Sequence, residues 1–173
     1  ESGEKKMRML RRLPKILKFI PGKSQDLRAW FLAMQYWLGG TDENIESMLR
    51  FLISRYSKIE GWRGCKTEMP KDYPDVGLYH PDSKEKIVDS IEDLPKLESP
   101  IGTIGILLMR SYVLSGDTAH YDAVIKRFQE HNIQVVPAFS GGLDARPAIE
   151  KYFKNSEKPV IDGLLSLTGF SLV

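Results

Sequence analysis

The chain has 173 residues, 42% of them hydrophobic, enough to bury one core or one core with a helical annex, which excludes a disordered polymer. Its 25 Lys and Arg against 23 Asp and Glu leave a formal net charge of +2, a balance that gives no reason to expect nucleic acid as a partner. The single cysteine, Cys65, can form neither an internal disulfide nor a thiolate metal site, which fits a reducing compartment. Apolar runs such as Ile104 to Met109 fall far short of the ~20 residues that a transmembrane helix needs. A start at Glu1 with neither Met nor an apolar leader, and an end at Ser171-Leu172-Val173, lead to the expectation of an internal piece of a longer protein.

From Lys5 to about Glu60 the pattern predicts three helices, a helical subdomain over residues 1–60. The first carries Leu10, Leu13, Leu17 and Ile20 on one side and Lys5, Lys6, Arg8, Arg11, Arg12, Lys15 and Lys18 around the rest. Such a basic helix is either a solvated face docked on its own protein by the apolar side, or one that lies on a membrane surface or an acidic partner. The second places Leu27, Trp30, Phe31, Met34, Trp37 and Leu38 in a stripe, with Ser24 as cap and Gly39-Gly40 as stop. In the third, Ile45, Met48, Leu49, Leu52, Ile53 and Tyr56 recur at helical spacing; Thr41 is placed to cap it, and Asp42 and Glu43 favour its positive end. The second and third are expected to pair antiparallel.

Periodicity fails over residues 61–100, where Pro70, Pro74, Pro81, Pro95 and Pro100 are spread among Gly and charged residues; this reads as an ordered connector. Within it the aromatic, proline-stiffened run Tyr73 to Pro81 is expected to pack against something, and Ile87 to Leu94 to form a short helix. Residues 101–173 read as an α/β domain that continues beyond the chain. Thr103 to Met109, Ile133 to Phe139 and Ile161 to Leu167 are three strands of buried character. Asp117 is expected to cap a helix bearing Tyr121, Val124, Ile125 and Phe128, and Asp144 a second helix with Pro147 in its first turn. The fold class is therefore α/β: an N-terminal helical segment followed by a Rossmann/flavodoxin-like βαβαβ unit with a small parallel sheet.

Ligands of such sheets bind beyond the carboxyl ends of the strands, which points to the loops Arg110 to Thr118 and Ser140 to Asp144. The first brings together Arg110, Ser111, Tyr112, Asp117 and His120 near a helix start; the second offers Ser140, Asp144 and Arg146. Asp117 and Asp144 are each either helix caps or general bases, and His131 is accounted for by the negative end of its helix. His80, between Tyr79 and Pro81, is either a ligand to a flat macrocycle or a buried structural imidazole. No Gly-x-Gly-x-x-Gly follows the first strand and no Walker loop occurs, which disfavours a nucleotide site. Serine-nucleophile chemistry and a zinc site lack their motifs as well.

Three segments resemble a known family: Gly77-Leu78-Tyr79-His80-Pro81, the run Ile104 to Tyr121 that includes Met109-Arg110-Ser111-Tyr112-Val113-Leu114-Ser115-Gly116-Asp117-Thr118, and Val135 to Ala148 with its Ser140-Gly141-Gly142-Leu143-Asp144-Ala145-Arg146-Pro147. With Ser166-Leu167-Thr168-Gly169-Phe170 and Phe19-Ile20-Pro21-Gly22-Lys23, nearly the whole chain is similar to the large subunits of magnesium chelatase and cobaltochelatase. The resemblance implies part of a subunit of well over a thousand residues that binds protoporphyrin IX and receives Mg²⁺ as substrates. It also implies ATP hydrolysis by partner AAA+ motor and adaptor subunits rather than by this chain, and a role in chlorophyll or bacteriochlorophyll synthesis. The form Ser111-Tyr112-Val113-Leu114-Ser115-Gly116-Asp117-Thr118 suggests the cytoplasm of a photosynthetic bacterium, with chloroplast stroma as the alternative. Porphyrin-binding candidates are Tyr79, His80, Arg110, Ser111, Tyr112, Asp117, His120, Ser140, Asp144 and Arg146; no catalytic residue carries over.

Overall fold

The computed structural model describes residues 12–142, 144–156 and 158–169. Lys5, Lys6, Arg8, Leu10 and Arg11 of the expected basic helix lie outside them, as do Leu143 and Phe170. The chain divides into two compact units, residues 1–73 and residues 74–173.

In the first unit residues 12–17 are helical, followed by α1 (Ser24–Gly39) and α2 (Asp42–Tyr56). Gln25 Nε2 donates to the Leu17 carbonyl at 2.9 Å and Arg28 Nε to that of Pro14 at 3.1 Å, tying the first helical stretch to α1. Gly40 ends α1 in the left-handed conformation at φ 65°, which a residue without Cβ adopts at no steric cost. Thr41 then caps α2, accepting a hydrogen bond from Asn44 N at 3.3 Å, as its sequence position predicts. Ser24 does not cap α1: Lys23 occupies that position without a side-chain bond, and Ser24 is already helical.

The side of α1 that is buried is not the expected stripe. Ala29, Leu32, Tyr36 and Gly39 are buried instead. The small residues at both ends of this row let α2 and the returning chain approach closely. Asn44 exchanges two 2.9 Å hydrogen bonds with the Lys71 backbone, and Tyr36 donates its hydroxyl to the Glu68 carbonyl. A Cβ on Gly39 would stand 2.1 Å from Asn44 Nδ2, so the strap formed by residues 68–71 depends on glycine there.

In the second unit the described residues give β1 (Val76–Tyr79), β2 (Ile87–Val88), β3 (Gly102–Met109), β4 (Ile133–Ser140), β5 (Lys154–Asn155), β6 (Lys158–Pro159) and β7 (Gly163–Ser166). Five of these form one sheet of order β2-β1-β4-β3-β7, and β5 with β6 makes a small hairpin apart from it. β3, β4 and β7 are parallel, as predicted, whereas β1 and β2 add antiparallel, so the sheet is mixed rather than wholly parallel. Both antiparallel strands come from the stretch 61–100 that reads as a connector. Short alternating runs broken by proline carry too little periodicity to separate a strand from a loop. For the same reason the helix expected over Ile87 to Leu94 is instead β2 followed by a single 3₁₀ turn, Ile91–Asp93.

Pro137 sits in the middle of β4, where its nitrogen has no proton for a ladder. The β1–β4 pairing ends at Leu78–Ala138, immediately before it. One strand pair along, Phe139 lies over Gly77, where a Cβ would fall 2.6 Å from the ring.

Alternation along the strands feeds two cores. Ile106, Leu108, Val135, Phe139 and Tyr79 face α3 (Arg110–Ser115) and α4 (Ala119–Glu130) through Val113, Tyr121 and Ile125. Leu107, Val136, Ala138 and Leu78 face Ala148, Tyr152 and Phe153 on the other side. The result is an α/β architecture with cover on both faces of the sheet. The helix expected after Gly141-Gly142 is reduced to α5 (Arg146–Ala148) running into one π turn, Ile149–Phe153. That wider turn sets Tyr152 and Phe153 side by side on the sheet, each 2% exposed. The third strand is shorter than Ile161 to Leu167, because Ile161 turns its side chain toward Gly105 before the ladder begins.

Candidate site at the carboxyl ends of the strands

From β3 the chain goes first to β4 on one side and then crosses back to β7 on the other. This reversal is the topological switch point at which open α/β sheets accept ligands. Because β1 runs antiparallel to β4, its beginning lies at the same end of the sheet, opposite Ser140. Residues from five segments of the chain therefore share this edge.

Arg110 closes β3 and donates from Nε to the Pro74 carbonyl at 2.8 Å. The neighbouring Asp75 carbonyl accepts from Gly141 N at 2.6 Å. These two bonds lash the start of β1 to the ends of β3 and β4. Ser140, 8% exposed, donates its hydroxyl to the Asp144 carbonyl at 2.7 Å and so shapes the Gly141-Gly142 loop. The Asp144 carboxylate accepts from Arg146 three times: backbone N at 3.0 Å, Nε at 2.8 Å and Nη2 at 2.8 Å. This bidentate clamp, followed by the backbone bond, pulls the carboxyl pKa down to about 2. Asp144 thus fastens the loop and presents Arg146, 83% exposed at its side chain, to solvent. At the end of β7, Ser166 and Thr168 hydroxyls meet at 3.0 Å.

Beside this edge α3 ends at Gly116, φ 75°, and α4 begins after Thr118. Asp117 does not cap α4; Thr118 holds the cap position, again without a side-chain cap bond, and Asp117 is exposed. Thr118 is drawn inward instead, to a buried cluster in which the Tyr79 hydroxyl stands 2.7 Å from Asp122 Oδ1 and 2.9 Å from Thr118 Oγ1. Removal from water, ahead of the adjoining carboxylate, pushes the Tyr79 phenol up to about 12. On the outer side, Tyr112 meets His120 edge-on at 5.3 Å and His120 leans on Tyr121 at 3.9 Å. Tyr112 is 42% exposed, and His120 and Ser111 are exposed as well. The Tyr121 hydroxyl accepts from Met109 N at 3.1 Å, which anchors this aromatic group to the end of β3.

His80 lies elsewhere. It is 0% exposed; its Nδ1 accepts from Asp82 N at 3.2 Å, which leaves the proton on Nε2, where the Gln129 amide stands at 3.2 Å. A carbonyl oxygen of that amide at this position satisfies the proton. Burial lowers the imidazole pKa, so the ring is held neutral. Of the ten predicted residues, the fold gathers Arg110, Ser111, Tyr112, Asp117, His120, Ser140, Asp144 and Arg146 at the strand ends, and Tyr79 and His80 inside the β1–α4 packing. Sequence reasoning missed Pro74, Asp75, Thr118, Asp122 and Gln129. Only the i, i+4 spacing of Thr118 and Asp122 on one helix face carried a signal. Among the described residues no three His, Cys, Asp or Glu stand together as a metal site, and no helix is long and apolar enough to cross a membrane.

Residues 34–173 match the CobN/Magnesium Chelatase family, and residues 1–31 match a domain of unknown function, DUF3479. The chain is 60% identical to the large (H) subunit of magnesium chelatase from Rhodobacter capsulatus, over 99% of its length and 14% of that protein's. It is 56% identical to the corresponding magnesium-chelatase protein of Cereibacter sphaeroides over the same shares. The chloroplastic ChlH protein of the magnesium chelatase from Oryza sativa subsp. indica is 33% identical over 96% of the chain and 13% of that protein. The chain thus spans about one seventh of the length of its bacterial relatives, and it belongs to the CobN/magnesium chelatase family.

Proposed function

We propose that the chain is part of the porphyrin-binding large subunit of magnesium chelatase, which inserts Mg²⁺ into protoporphyrin IX while partner AAA+ motor and adaptor subunits hydrolyse ATP. Its own share of that work is to hold the edge of the macrocycle at the carboxyl ends of the sheet. The observation that carries this reading is the exposed Arg146 guanidinium, oriented by Asp144, on the same sheet edge as the Tyr112–His120 aromatic surface. Protoporphyrin is flat and apolar with two propionates; it calls for aromatic contact on its face and a cation at its rim. Ser111 and Asp117 border the same loop. Metal insertion also needs a group to take pyrrole protons, and His120 is the accessible imidazole here. Mg²⁺ prefers oxygen ligands and sheds water reluctantly. Asp144, engaged by Arg146, serves as a fastener rather than as its carrier. Tyr79 and His80 act beneath the surface by seating α4. The compartment in this reading is the cytoplasm of a photosynthetic bacterium, or the chloroplast stroma.

A fluorescence-quenching titration with a soluble protoporphyrin analogue tests it. Saturable binding by this chain, weakened by Arg146→Ala and His120→Ala proteins of unchanged far-UV spectrum, is the expected result. No binding by the folded chain would sink it. The second reading, a scaffold segment that docks neighbouring domains or the motor without touching porphyrin, is favoured by the basic N-terminal run. Charge reversal at Arg11, Arg12 and Lys15 would then weaken motor binding and leave porphyrin titrations unmoved.

A further inference from the structure

α1 is apolar on two opposite sides. Its inner row, Ala29, Leu32, Tyr36 and Gly39, is buried. At ~100° per residue the stripe Leu27, Trp30, Met34, Trp37 and Leu38 lies on the opposite side of the cylinder. There Leu27, Trp30, Trp37 and Leu38 stay 49%, 54%, 62% and 38% exposed. A helix apolar all round belongs between two layers. With ~150–250 Å² for each large aromatic side chain, these exposures amount to about 400 Å² of apolar surface, comparable to the largest patch of a typical monomer, which is often functional.

We propose that this outer face of α1 is covered, in the full large subunit, by a segment of the same polypeptide outside these 173 residues, one that offers an apolar groove rimmed by carboxylates. Two arguments select that occupant. About 400 Å² is half of the ~800 Å² that each partner buries in a stable complex between free molecules. A tethered partner is present at an effective concentration in the millimolar range and needs less surface. The relatives, of which this chain spans 14%, supply ample tethered polypeptide. The second argument is charge. Residues 1–73 contain fifteen Lys and Arg against nine Asp and Glu, a net +6, while the whole chain is only +2. A partner for this unit is therefore selected by negative charge around an apolar centre.

Hydroxyl-radical footprinting read at Trp30 and Trp37 decides the matter, with this chain and the full-length subunit compared side by side. The expected result is oxidation at least about tenfold slower in the full-length subunit, at every protein concentration and with or without vesicles. Equal rates in the two proteins would overturn the proposal. So would protection that grows with the concentration of this chain, which means a second copy, or protection that appears only with phosphatidylglycerol vesicles, which means a membrane surface. A Trp30→Ser/Trp37→Ser protein supplies an independent reading. Its thermal midpoint should match the parent in this chain and fall in the full-length subunit; an unchanged midpoint in the full-length protein refutes the covered face.

Discussion

Replacing Tyr79 by Phe removes one oxygen from the interior of the second unit and keeps the ring that packs on Ile106, Val135 and Tyr121. The lost group is a hydroxyl that donates to the Asp122 carboxylate at 2.7 Å and stands 2.9 Å from Thr118. A hydrogen bond to a charged acceptor contributes about 1.5–3 kcal/mol, and Asp122, half-buried, regains part of that from water. The expected loss is about 2 kcal/mol, or about 4–8 °C in Tm for a chain of this size. Far-UV circular dichroism against urea measures it, and a double-mutant cycle with Asp122→Asn should return a coupling of about 1–2 kcal/mol. Absorbance titration gives a second reading: one tyrosine ionises near 12 in the parent and that step is absent from the variant. A loss below about 0.5 kcal/mol with no coupling would refute the claim that this bond seats α4, and with it the role of Tyr79 in supporting the Tyr112–His120 surface.

His80 is neutral in the folded protein because burial holds its pKa below 6.5, whereas the unfolded chain takes up a proton at that pH. Stability is therefore complete above pH 6.5 and declines as the pH falls below it, by up to ~1.4 kcal/mol per unit; a His80→Gln protein should lose this slope in urea midpoints between pH 7 and 5. Gly39→Ala forces Asn44 aside, because the added Cβ meets Nδ2 at 2.1 Å. Two broken hydrogen bonds outweigh the ~1 kcal/mol gain in helix propensity, so a net loss of about 1–2 kcal/mol should accompany faster amide exchange at Lys71. The Asp144 carboxyl should titrate near 2 by carbon NMR and move up toward ordinary aspartate values in Arg146→Ala. The stability it confers is present above the ordinary aspartate range and is lost as the pH falls through about 2, so an unmoved midpoint would show that Arg146 does not hold it.

Local chemistry wrote the parts of this protein that need only their own residues. Thr41 is a good cap wherever a helix follows, Gly40 stops α1 because φ 65° suits it, and the apolar runs of β3 and β4 are strands buried on both faces in any α/β sheet. The strand-end loops were legible for the same reason: parallel order follows from alternation, and the ligand edge follows from parallel order. Pairing across the chain was not legible. Tyr79 is 39 residues from Thr118, His80 is 49 from Gln129, and Asn44 is 27 from Lys71. Nothing in a local window distinguishes a tyrosine or histidine with such a partner from one that faces a ligand. Hydrophobic periodicity likewise reports that a helix has apolar sides but not which of them is inside. In α1 the decision went to the row with Ala29 and Gly39, since close approach of α2 and the residue 68–71 strap needs small residues, and the larger Trp30 and Trp37 were left outside.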